Sequence, residues 1–175
     1  MKKIILFAAV LFSAVTLVNA QTSNEGTAEL TINLKAVQSI TVNGNVVIDY
    51  DSAEDYANGV TSSVMQDHLS VVSAGGFTIR VSAPDLTNDE SDIIKASSIK
   101  VVAKGSKKTD GVVANDAGVS LNNDPVALIS STNGGVGKTF NVTYTGDSEN
   151  AYINNYNAEG SQTYTTTVTY TIAAN

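Results

Sequence analysis

Residues 133–139 read Asn-Gly-Gly-Val-Gly-Lys-Thr, directly after an apolar run at 126–131. Glycines followed by a lysine and a hydroxyl residue are the chemistry of a phosphate cradle. Backbone amides wrap the phosphates, the lysine neutralises them, and a helix after the loop adds its N-terminal dipole. The spacing is wrong for it. Counting back from Gly137, the loop needs a glycine where Thr132 stands, and the variant loop that opens on lysine needs that lysine where Asn133 stands. The residues after Lys138, "TFNVTYTG", alternate with period two and include β-branched side chains, so they predict a strand and not a helix. Asn133-Gly134-Gly135-Val136-Gly137 is read as a hairpin loop between two antiparallel strands, and no nucleotide or other cofactor is expected.

Other chemistries are equally short of parts. His68 is the only histidine, there is no Gly-x-Ser-x-Gly elbow, and a lone imidazole supplies no triad. His68 is expected on the surface of a strand. Asp49, Asp51, Glu54 and Asp55 offer hard oxygen ligands. An EF-hand starting at Asp49 nevertheless fails, since Ala53 occupies a ligand position and Glu54 the glycine position. Asp85, Asp89, Glu90 and Asp92 match no metal-binding spacing and read as a solvated surface, so no metal is expected. Tyr50, Tyr56, Tyr152 and Tyr156 lie in two loops, 50–60 and 147–162, and are candidates for a sugar-stacking platform. Their alternative role is as rim or core aromatics. Asp51-Ser52-Ala53 matches a bacterial O-glycosylation triplet, and Asn141-Val142-Thr143 is a sequon inside an expected strand. None of these assembles into a catalytic centre, and no enzyme is expected.

The elements that must carry such residues begin after a leader. Lys2 and Lys3 precede an apolar stretch from Ile4 to Val18, closed by Val18-Asn19-Ala20. At about 15 residues the stretch is shorter than the roughly 20 a spanning helix needs. It is read as a signal peptide, residues 1–20, cleaved before Gln21. Residues 21–175 are then one domain with no later membrane span, secreted or held at a cell surface after passing through the periplasm. The chain has no cysteine. It therefore relies on its hydrophobic core, which at about 150 residues buries roughly 70% of the unfolded surface. A formal net charge of −7 argues against nucleic acid, whose backbone must be neutralised by basic residues.

Thr, Val, Asn, Ser and Gly dominate and tryptophan is absent, a mixture of strand and turn formers. Residues 27–36, "TAELTINLKA", place Ala28, Leu30, Ile32 and Leu34 on one face. Asn43-Gly44 predicts a hairpin turn. Next come a strand over 68–73, the turn Gly75-Gly76, and a strand carrying Phe77, Ile79 and Val81. Further strands are expected at 97–104, at 126–131, and from 138 onward with Phe140, Val142 and Tyr144 on one face. The longest, 163–173, sets Tyr164, Thr166, Val168, Tyr170 and Ile172 against a threonine face. Residues 51–59 suggest a short helical turn between Asp51 or Ser52 and Gly59. The fold class is all-β: a single antiparallel β-sandwich, immunoglobulin-like or pilin-like, of about seven to nine strands.

Three stretches carry a likeness. They are "TAELTINLKAVQSITV", "YANGV" followed by "LSVVSAGGFTIRVSA", and the terminal "GSQTYTTTVTYTIAAN". The chain resembles the small secreted β-sandwich surface proteins of bacteria, the spore-coat-U and fimbrial-subunit-like group, with some similarity to WxL-type surface domains. The pilin disulfide and the Trp-x-Leu motifs of those families are missing. The resemblance implies a fimbrial-like structural protein, a pilus or fibre subunit whose terminal strand is donated to a neighbour. Ala28, Leu30, Ile32, Leu34, Tyr164, Val168, Tyr170 and Ile172 would form the assembly strands. The expected partner is another copy or another surface protein. The alternative is a monomeric cell-adhesion or glycan-binding module that uses the tyrosine loops.

Overall fold

The computed structural model describes residues 25–155 and 160–175, so the expected leader and Tyr156 lie outside the described residues. The chain divides into two units, Met1–Asn33 and Leu34–Asn175. In the first, residues 25–33 carry neither helix nor strand and are exposed throughout.

The second unit is all-β. Its strands are β1 (Gln38–Val42), β2 (Met65–Ser73), β3 (Phe77–Ser82), β4 (Leu86–Thr87), β5 (Ile93–Ile94), β6 (Lys100–Lys107), β7 (Val112–Ala114), β8 (Val119–Ser120), β9 (Val126–Ser131), β10 (Gly135–Thr145) and β11 (Thr169–Ala174). Nine of them build two antiparallel sheets, ordered β1-β2-β10-β6-β8 and β11-β3-β9-β7, while β4 and β5 form a small ribbon. The inner faces of both sheets supply one core. Leu69, Val71, Val101, Ala103, Phe140 and Val142 come from the first, and Phe77, Ile79, Val81, Leu128 and Ile129 from the second. Phe77, Ile79, Val81, Phe140 and Val142 are wholly inaccessible to solvent, so the predicted period-two faces are the faces that pack. Each such side chain contributes roughly 1.5–3 kcal/mol relative to an exposed one. The α-helix among the described residues, α1 (Ala53–Asn58), starts where expected. Ser52 Oγ accepts from the Asp55 amide, the Asp55 carboxylate accepts from the Ser52 amide, and Gly59 ends the helix at φ +76°.

Several expectations need correction. Residues 27–36 form no strand; the N-terminal strand of the sheet is Gln38–Val42, paired with β2, and alternation alone does not supply a partner. Asn43-Gly44 does not close a hairpin. Gly44 has φ +79° but Asn43 stays at negative φ, so a type I′ turn is not made, and the chain leaves the sheet after β1. Gly75-Gly76 and 133–137 are not hairpin turns either, and Gly135, Val136 and Gly137 already belong to β10. β2 and β3 lie in opposite sheets, as do β9 and β10, so both loops arch from one sheet to the other. The two arches press together: a Cβ at Gly76 would come 2.9 Å from the Ser131 carbonyl oxygen, and one at Gly134 would collide with Ser73 and Ala74. Only glycine fits such a close approach of backbones. The last predicted strand is shorter than its alternation. It pairs with β3 only over Thr169–Ala174, with an isolated bridge between Thr165 and Thr87.

Candidate assembly site

Two features of this chain leave strand-type or apolar surface exposed. One is the segment at 27–36. Leu30 is 85% exposed, Ile32 72% and Leu34 90%, and no strand is assigned to any of the ten residues. Its alternation would bury one apolar face if it had a sheet to join.

The other is the margin of the sandwich where β1 and β11 lie against each other. Antiparallel register places Ile40 and Val42 on the face shared with Val71 and Leu69, and Ile172 and Ala174 on the face shared with Ile79 and Phe77. The inner partners are fully buried, whereas Ile40 and Ile172 are half-buried and Val42 and Ala174 exposed. Core cover thus runs out at this margin. Residues 36–48 and 163–175 contain no charged side chain. The opposite margin is guarded. β8 covers only Lys100 and Val101 of β6, β7 is three residues long, and exposed Lys100, Lys104 and Lys107 line the strand. Short edge strands and lysines are the usual means of preventing strand addition.

β11 itself is built into the fold. Tyr170 is buried, Tyr164, Val168 and Ile172 are half-buried at alternate positions, and the threonines between them face solvent. The terminal Asn175 bonds the Gly76, Phe77 and Ser131 carbonyls through its amide and side chain. A polar pillar also crosses the core. His68 Nδ1 donates to the Asn43 carbonyl at 2.5 Å, so in the neutral ring Nε2 accepts from the Tyr144 hydroxyl at 3.3 Å. Tyr144 in turn accepts from the Tyr170 hydroxyl. Burial pushes both phenols above their ordinary value. His68 is therefore a core residue and not a surface one. The reason is a bulge: Asp67 sits at φ +48° and the β2–β10 register slips, so His68 and Leu69 both turn inward. Alternation alone cannot reveal such a slip. The signal available was the pair of tyrosines on core faces, each in need of a polar partner.

The remaining candidates are occupied by local structure. Lys138 is buried and donates to the Asp110 carbonyl at 2.8 Å, on the strand that continues the glycine stretch. Tyr50, Tyr56 and Tyr152 do come together, with ring centroids 5.3 and 5.1 Å from Tyr50. Tyr50 donates to the Asp147 carbonyl at 2.7 Å, and Tyr152 donates to Ser98 Oγ at 2.7 Å and accepts from the Asp147 amide. Burial raises the Tyr50 phenol to about 12. The cluster clamps the two tyrosine loops to each other. Asp55 is held low by the Ser52 hydroxyl, and Asp85 by Lys95 at 2.8 Å. Asp67 is lowered to about 2, chiefly by Lys107 at 2.7 Å. Among the described residues no three His, Asp or Glu side chains converge, and no helix is long and apolar enough to cross a membrane. No family model and no curated protein matches this chain.

Proposed function

We propose that this chain is an exported, non-enzymatic structural subunit of a cell surface that assembles through its terminal β-strand sequence. The observation that carries the reading is the segment at 27–36: ten residues of strand-type alternation, apolar on one face, exposed and in no strand among the described residues. An exposed Leu or Ile gains roughly 1.5–3 kcal/mol on full burial, and a sheet edge in another copy supplies both cover and hydrogen-bond partners. The leader-like residues 1–20, the absence of cysteine and the acidic charge support export to a surface.

The test uses residues 21–175 at micromolar concentration, by size-exclusion with light scattering and negative-stain microscopy, beside material sheared from native cells. Filaments are expected from the wild type. Leu30→Asp with Ile32→Asp should abolish them while leaving the melting temperature in place, because neither side chain is in the core. A monomer in vitro with no filament in native material would sink the reading.

A further inference from the structure

We infer that the outer face of the sheet β1-β2-β10-β6-β8 is a docking surface for an acidic polysaccharide, a polymer of uronate-type sugars, held by a row of lysines on β6. The inference goes beyond strand-linked assembly, because a single copy carries the whole face.

The row is plain in the sequence. Four of the ten basic residues, Lys100, Lys104, Lys107 and Lys108, fall within 100–108, a stretch with no acid. The chain has 17 acidic residues, yet the five strands of this sheet contain one, Asp67, and Lys107 already holds it at 2.7 Å. Strand propensity does not explain this single sign, since lysine and glutamate are both depleted in strands. Edge protection accounts for charge at the margin, but not for the lack of further acids on β1, β2 and β10.

Alternation and register turn the row into a surface. Val101 and Ala103 are buried, so Lys100 and Lys104 stand on the outer face, their Cα atoms about 13 Å apart at roughly 3.3 Å per residue. Thr145 lies beside Lys100, Thr143 beside Val102 and Asn141 beside Lys104. The polar field continues through Thr139 to Ser70 of β2. Lys100 and Lys104 are exposed, and neither has an ion-pair partner among the described residues.

The chemistry of this face selects its occupant. Ammonium groups at such spacing do not converge on one small anion; they match charges repeated along a polymer. Lysine is a hydrated point charge without the planar fork that arginine offers to phosphate, and the strands of this sheet contain no arginine. The outer positions hold no aromatic ring on which a base could stack. Their apolar side chains, Val72, Val102 and Val136, are too short to enter a bilayer. Hydroxyls and the Asn141 amide both donate to and accept from sugar hydroxyls, while the lysines take the carboxylates. The acidic net charge does not forbid this, because charges more than about 8 Å away are largely screened at physiological ionic strength.

The test measures retention of residues 21–175 on immobilised polygalacturonate, with dextran as the neutral polymer. Retention is expected on polygalacturonate alone, and is lost at about 0.5 M salt. Lys100→Gln with Lys104→Gln should weaken it about tenfold, and arginine at both positions should restore it. Arg80→Gln, an exposed charge on the other sheet, should change nothing. Unchanged melting temperatures confirm folding of each variant. Retention that survives the double glutamine variant, or falls equally with Arg80→Gln, would overturn the assignment to this face. Binding to phosphatidylglycerol vesicles but not to the polymer would make a membrane the occupant and overturn the polysaccharide. No retention at low salt would remove the inference outright, and filaments from the same protein would show that strand-linked assembly stands without it.

Discussion

The hydroxyls of Tyr144 on β10 and Tyr170 on β11 are hydrogen-bonded to each other in the core, tying an edge strand of one sheet to the centre of the other. Tyr170 is the outer member of the pillar and donates one bond. Tyr170→Phe therefore removes a donor and leaves Tyr144 still bonded to His68, at a cost of about 1 kcal/mol. His68→Leu strands two groups, the Asn43 carbonyl and the Tyr144 hydroxyl, and should cost about 2–3 kcal/mol. Urea unfolding of the two variants checks the order. Equal or reversed losses would mean that the pillar does not act as a chain.

Lys138 bears on whether the glycine stretch ever served a phosphate. Its ammonium is bonded to the Asp110 carbonyl, and its stem lies under Gly135. Lys138→Met keeps the stem and should lose about 1 kcal/mol, while Lys138→Ala loses packing as well and should cost about 2–3 kcal/mol. Nucleoside triphosphate with magnesium should leave the melting temperature of the wild type unchanged. A rise with ligand that Lys138→Met abolishes would contradict the structural role.

The Asp67–Lys107 pair predicts an acid limb. A folded-state value of about 2, below the ordinary 3.8, means that the carboxylate's contribution is complete above about pH 4 and is lost as pH falls through 2. Both side chains are partly exposed, so added salt should weaken the effect. Asp67→Asn should flatten the stability profile between pH 4 and 2, read by chemical denaturation at each pH. An unchanged slope would show that Lys107 does not hold the carboxylate.

Of the three phenols that burial raises, Tyr50 is the one that holds the loop clamp, while Tyr144 and Tyr170 belong to the core pillar. The Tyr50 phenol is raised from 10 to about 12 by burial, so the clamp is intact below pH 10 and loosens as pH rises towards 12. Tyr50→Phe should remove a late-titrating phenol from the ultraviolet absorbance titration, and should free residues 147–155 to faster amide exchange. Retained protection would place the clamp elsewhere.

What the residues disclosed depended on the range of the interaction involved. Alternation at 77–81, 140–144 and 164–172 identified the inward faces, because a half-buried strand must segregate its side chains. The helix start at Ser52 was legible because a capping box is a local device. Glycine-rich loops mark turns, but their residues do not distinguish a hairpin from an arch between sheets. Whether an arch stays in one sheet or crosses to the other is set by distant packing, such as Gly76 against Ser131. His68 lies in the core and not on the strand surface because a bulge shifts alternation by one residue. Of the candidate assembly residues, Leu30, Ile32 and Leu34 are exposed while Val168, Tyr170 and Ile172 pack in the sandwich. Sequence alternation is the same in both groups and carries no information on which of them has found a partner.

The two arches have a kinetic meaning. Because β2 and β3, and likewise β9 and β10, part company at their glycine turns, few neighbouring strands can zip together locally; β4 and β5 are too short to serve as a nucleus. Closure must wait for encounters between residues far apart along the chain, such as β1 with β2 and β11 with β3, which lowers the rate of folding. During that interval the uncharged terminal runs are uncovered in every newly made copy. Folding in isolation from other copies, at low concentration or in the hands of an escort, would then decide the yield of this protein as much as the stability of its finished core.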